Sequence, residues 1–108
     1  MTLTLQDAQH VSWKIFRKIN DKLDLERVKG WNPCITVADL LKEAGEVAAI
    51  VKGLEGFKQP ENTKTKEMLA KELNNVLYSV FVLAEHYGVS LEETFLEQVN
   101  DYLLRFLT

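Results

Sequence analysis

The chain reads as an all-α protein, a four-helix bundle folded as one domain over residues 1–108, and three observations predict this. Apolar residues recur at intervals of three and four in four separate segments. No stretch alternates polar and apolar residues for long enough to make a strand. Glycine, proline and capping residues fall between the periodic segments, where helices should stop and start.

The first helix is expected from about Leu5 to Leu23, where Leu5, Ala8, Trp13, Phe16, Ile19 and Leu23 share a helical rhythm. Gly30, Asn32 and Pro33 then break the chain. The second helix is expected after Thr36, because Thr36 and Asp39 have the spacing of a capping box with Asp in place of Glu. Its apolar side carries Val37, Leu40, Leu41, Ala44, Val47, Ala48 and Val51, with Gly53 as the C-cap. Leu54 to Thr63 reads as a polar loop. The third helix is expected from about Lys64 to Tyr87. Leu69, Leu73, Val76, Leu77, Val80, Phe81, Leu83 and Ala84 cover most of its circumference, the pattern of a helix packed on several sides. That is more apolar surface than one small protomer can cover, so a partner subunit is expected. Gly88 ends this helix. Ser90 and Glu93 form a capping box for a fourth, whose apolar face is Phe95, Leu96, Val99, Leu103 and Phe106.

Composition sets outer limits on function. The 108 residues carry a net charge of −3, which argues against general binding of nucleic acid through phosphate neutralisation. A polyanionic ligand would need a bridging cation or a local group of Lys and Arg. The single cysteine, Cys34, cannot form an internal disulfide, and no Cys/His spacing fits zinc. No apolar run approaches a membrane span and no leader is evident, so the cytoplasm is the expected compartment.

Two polar stripes carry the functional signal. Asp39, Glu43, Glu46 and Ile50 lie at offsets 0, 4, 7 and 11 on the second helix, and Met68, Glu72, Asn75, Ser79 and His86 follow a matching rhythm on the third. Each set falls within one narrow helical face. Aligned like charges repel by about 0.2–0.5 kcal/mol per exposed pair, so a row of acids is strained unless a cation or solvent relieves it. One such pair alone is usually a solvated face, and Lys42 with Glu46 can be a plain surface ion pair. Two matching pairs on neighbouring helices place four oxygen-bearing side chains within reach of each other if the helices pack side by side. Hard oxygen ligands of this kind suit Mg²⁺ or Mn²⁺.

The same residues carry a family likeness. Leu40-Leu41-Lys42-Glu43-Ala44-Gly45-Glu46-Val47, followed by Lys71-Glu72-Leu73-Asn74-Asn75-Val76-Leu77, resembles the MazG-like all-α nucleoside triphosphate pyrophosphohydrolases. Their pattern is Glu-Glu-x-x-Glu, a gap, then Glu-x-x-Asp. The run from Leu83 to Glu93 and the terminal Arg105-Phe106 extend the likeness over roughly Trp31 to Phe106. The resemblance implies a four-helix fold assembled as a homodimer or homotetramer that binds Mg²⁺, with Mn²⁺ as an alternative. It implies hydrolysis of a nucleoside triphosphate, often a non-standard one, to the monophosphate and pyrophosphate. It implies metal ligands at Glu43, Glu46, Glu72 and Asn75, with Glu43 or Glu46 as the general base. Phosphate would be met by Arg105, Lys52, Lys58 or the first helix, and Trp31 could stack on a base.

Three departures from the family pattern stand out. Lys42 replaces the first Glu, and Asn75 replaces the Asp, which keeps an oxygen ligand but loses a charge. A third lies near Arg105-Phe106, where many relatives carry a Lys that is absent here and Asn100 is out of step. The alternative implied by Asn75 and the missing lysine is a catalytically silent nucleotide-binding or interaction module. A third reading is a plain oligomerising bundle whose acids are surface charge.

Overall fold

The computed structural model describes residues 2–23, 31–56 and 64–106. Every regular element among them is a helix: α1 (Leu5–Leu23), α2 (Pro33–Leu54), α3 (Lys66–His86) and α4 (Leu91–Phe106). Among the described residues, the all-α, four-helix expectation is met. None of these helices is long and apolar enough to cross a membrane.

The boundaries differ from the sequence reading mainly at α2. This helix begins at Pro33, one turn before the expected start. Asn32, in extended backbone, accepts a hydrogen bond from the Cys34 amide at 2.8 Å through its side chain, and proline fits the first helical position because its missing N–H would have no partner there. The Asn-Pro pair is therefore a start signal, not only a breaker. Thr36, expected to cap the helix, is instead buried inside its first turn. Gly53 is not the C-cap either. The helix runs through it to Leu54, and Gly56 supplies the left-handed residue, with φ of 71°.

Packing divides the chain into two units. The first contains α1, α3 from Phe81 onward, and α4; the second contains α2 and α3 up to Val80.

The first unit is organised around the turn between α3 and α4. Gly88 adopts φ of 68°. The Val89 amide donates to the Ala84 carbonyl at 2.9 Å and the Gly88 amide to the Glu85 carbonyl at 3.2 Å, the bond pair of a Schellman stop. Ser90 Oγ then accepts from the Glu93 amide at 3.3 Å, as the capping box requires. Phe81, Val82 and Ala84 are buried in this unit. So is Gln9 of α1, at 1% exposure. Its amide group donates to Glu85 Oε2 and to the Val89 carbonyl, both at 2.8 Å, while its oxygen accepts from the Leu91 amide at 3.3 Å. One side chain thus satisfies polar groups at the end of α3, in the turn and at the start of α4. His10 Nδ1 pairs with Glu85 Oε1 at 2.5 Å.

The second unit buries Thr36, Ile50 and Ser79. Several apolar residues expected inside are open. Leu73 of α3 is 50% exposed and Leu41 of α2 is 69% exposed.

Candidate metal centre

Within the second unit, α2 presents Glu43 and Glu46 one turn apart, and α3 presents Glu72 and Asn75 in the same relation. The carboxylates of Glu43 and Glu72 lie within hydrogen-bonding reach of each other. Two ionised carboxylates cannot bond without a shared proton, so this contact is the chief reason that Glu72 holds its proton above the ordinary carboxylate range. Partial desolvation adds to the effect, then the charge of Glu43 and, least, that of Glu46; the hydrogen bond from Asn75 opposes it.

The two oxygens of Glu72 have different surroundings. Oε1 accepts from Asn75 Nδ2 at 3.4 Å. Oε2 is shielded from solvent and receives no hydrogen bond, although the residue as a whole is only half-buried. An acceptor hidden from water without a donor is costly, and a neighbouring carboxylate makes it more so. A hard cation is the species that relieves both at once. The orphaned Oε2, the adjacent Glu43 carboxylate and an all-oxygen donor set fit Mg²⁺ or Mn²⁺ in chemical type.

The convergence is partial. Among the described residues, no three His, Cys, Asp or Glu side chains stand grouped to enclose an ion. Three like charges on neighbouring turns repel one another. Here two approach and can share a proton, while Glu46 remains exposed and acts on Glu72 through its charge. Asp39 is exposed on the turn before Glu43.

The other sequence candidates have different settings. Trp31 is half-buried, and its indole N–H donates to Thr36 Oγ1 at 2.9 Å, so its polar edge is engaged in holding the segment before α2. Lys52 is exposed in the last turn of α2. Lys58 lies outside the described residues. Arg105 belongs to the first unit, where its Nε meets Asp101 Oδ2 at 3.3 Å one turn back. His86, on the polar stripe by spacing, also belongs to the first unit, with its ring edge against Tyr87 and tilted against Trp13.

The cluster of Gln9, His10 and Glu85 escaped the sequence reading. Burial pushes the Glu85 carboxyl up, but hydrogen bonds from Gln9 and His10, with the charge of His10, more than offset it and hold the group below the ordinary range. A signal was present: Gln9 lies four residues after Leu5 and four before Trp13, a polar residue on the apolar face of α1.

No protein-family model matches the chain. YvdC of Bacillus subtilis strain 168, a protein without an assigned function, is 36% identical to it over 74 residues, which cover 60% of this chain and 70% of YvdC. The crystal structure of YpjD from Bacillus subtilis, provisionally described as a pyrophosphatase, superposes with a TM-score of 0.72. That match covers 100% of this chain and 99% of YpjD at 23% identity, a level at which the likeness concerns the fold.

Proposed function

Because the chain belongs to the family of Bacillus subtilis YvdC, and shares the fold of YpjD, we propose that it is a Mg²⁺-dependent nucleoside triphosphate pyrophosphohydrolase of the MazG-like type. It converts a triphosphate, non-standard nucleotides included, to the monophosphate and pyrophosphate. The observation that carries this reading is the shielded, donor-less Oε2 of Glu72, on a carboxylate within hydrogen-bonding reach of that of Glu43. Stability alone does not favour placing two acids in this way. The provisional description of YpjD points to the same reaction class.

In this reading Glu43, Glu46 and Glu72 hold the metal through carboxylate oxygens, and Asn75 contributes its amide group. Mg²⁺, when bound, supplies Lewis acidity toward the phosphoryl oxygens and the attacking water. Glu43 or Glu46 takes the proton of that water. Lys52, in the last turn of α2, and Lys58, a few residues further along the sequence, meet the phosphate tail. Arg105 is a further phosphate contact, and the face of Trp31 offers a stacking surface for a base, worth about 1–3 kcal/mol in other systems. The enzyme acts in the cytoplasm as a homodimer or homotetramer.

The direct experiment measures pyrophosphate release over a panel of normal and modified triphosphates, with and without Mg²⁺. Release that needs Mg²⁺ and disappears in Glu72→Gln and Glu46→Gln supports the enzyme. Nucleotide binding without release supports a second reading, the silent binding module. One contact favours that reading: Asn75 presents its N–H, not its oxygen, to Glu72. An amide in that orientation stabilises the carboxylate without adding an acceptor for a cation. Absence of both metal and nucleotide binding would leave a helical assembly with surface acids.

A further inference from the structure

His10 of α1 lines an open cleft of about 540 Å³, together with Asp7 one turn before it, Lys14 one turn after it and Glu85 of α3. Both ring nitrogens are engaged. Nδ1 meets Glu85 Oε1 at 2.5 Å, and Nε2 meets the side-chain nitrogen of Gln6, one turn back, at 3.0 Å. Gln6 in turn reaches α4. Its side-chain oxygen accepts from the Ser90 hydroxyl at 2.8 Å, and its backbone amide donates to Glu92 Oε1 at 3.2 Å. Ser90 Oγ accepts from the Glu93 amide at 3.3 Å and so caps the helix. A continuous chain of hydrogen bonds runs from an exposed histidine to the first turn of α4.

Each link in the chain has a direction. Burial pushes the Glu85 carboxyl up, but hydrogen bonds from Gln9 and His10 hold it below the ordinary range. It is therefore ionised wherever histidine titrates and can only accept. Nδ1 of His10 must then carry a hydrogen. In the neutral ring Nε2 is left with a lone pair, which accepts from the Gln6 amino group. That orientation turns the Gln6 oxygen toward the Ser90 hydroxyl, whose own lone pair takes the Glu93 N–H. A proton taken from solvent onto Nε2 reverses the order, because the ring N–H then points at the Gln6 N–H, two donors without an acceptor. Turning the Gln6 amide over restores its bond to the ring. It also brings the amino group onto Ser90 Oγ, so the hydroxyl loses its acceptor and the Glu93 amide shares Oγ with a second donor.

We propose that His10 is a proton-operated switch whose charge state is relayed through the Gln6 amide to the N-cap of α4. The charged and titratable groups around the ring are Asp7 and Lys14 on α1, Glu85 on α3 and, through the Gln6 backbone, Glu92 on α4. Asp7 is tied to the Thr4 amide at 3.1 Å. The other histidine, His86, lies against Trp13 and Tyr87. Histidine changes charge between about pH 5 and 8, so the start of α4 loosens on mild acidification. The device is independent of the metal centre, because all its members lie in the first unit.

Nuclear magnetic resonance of the ¹⁵N-labelled full chain tests it. At about pH 8, long-range ¹H–¹⁵N spectra should show neutral His10 with its hydrogen on Nδ1. On acidification to about pH 5, the Gln6 side-chain amide and the Glu93 backbone amide should shift with the same midpoint as the His10 ring. His10→Gln should abolish both movements. Gln6→Leu should leave the ring titrating while the Glu93 amide stops following it, which separates transmission through Gln6 from the bare field of a nearby charge. Circular dichroism verifies that both variants remain helical. If either unfolds, the tautomer and the shared midpoint in wild type decide. The inference is overturned by a neutral His10 with its hydrogen on Nε2, by a Glu93 amide that ignores His10 or follows His86, or by one that follows His10 equally in Gln6→Leu.

Discussion

Replacing Gln9 with Ala should destabilise the first unit severely for a single substitution. The side chain is 1% exposed and donates to one carboxylate and one backbone carbonyl, each at 2.8 Å, while accepting from the Leu91 amide. A neutral hydrogen bond contributes about 1 kcal/mol net, one to a charged group about 1.5–3, and buried groups left without partners add a further penalty. A loss of about 4 kcal/mol follows, a large part of the stability of a typical small domain. The thermal midpoint should fall by about 15 °C or more. Urea unfolding followed by far-ultraviolet circular dichroism measures the loss, and Gln9→Met, which keeps most of the volume, separates hydrogen bonding from packing. The methionine variant should lose nearly as much as alanine. A loss under about 1 kcal/mol in the alanine variant, with unchanged denaturant sensitivity, would refute the view that Gln9 ties α1 to the α3–α4 turn.

Three further outcomes are expected. Glu72, with its pKa raised in the folded chain by Glu43, contributes stability that is full below the unfolded carboxylate pKa and lost as pH rises through the elevated folded value; a ¹³C titration of the metal-free protein should place Glu72 above its ordinary range, and Glu43→Gln should bring it down. Asn75→Asp should tighten divalent-cation binding, read by calorimetric titration, because it restores a carboxylate to the site and removes the N–H that occupies Glu72 Oε1; unchanged affinity would remove residue 75 from the centre. Gly88→Ala should cost about 1 kcal/mol in urea unfolding, purely from its φ of 68°, since a methyl group there would meet nothing within 4 Å.

The four helices were legible because apolar spacing is a local property, and α1 matches its expected limits residue for residue. The start of α2 was misplaced because Asn32-Pro33 serves equally as a break and as a cap, and only the bond to the Cys34 amide decides between them. At the metal centre, spacing alone could place Glu43 with Glu46 and Glu72 with Asn75. That Glu43 meets Glu72 depends on how two helices pack, which no local pattern encodes. The Asn75 amide orientation and the shielding of one oxygen of Glu72 depend on it further. The cluster around Gln9 joins residues 76 to 82 positions apart, so its existence rests on the fold.

The two tryptophans fall one in each unit, Trp13 beneath the Arg17 guanidinium and Trp31 tethered to Thr36. Nature has therefore supplied a separate fluorescent label for each half of the molecule. Trp13→Phe and Trp31→Phe leave a single emitter apiece, and comparing their melting curves reveals whether the halves lose structure in concert or in succession.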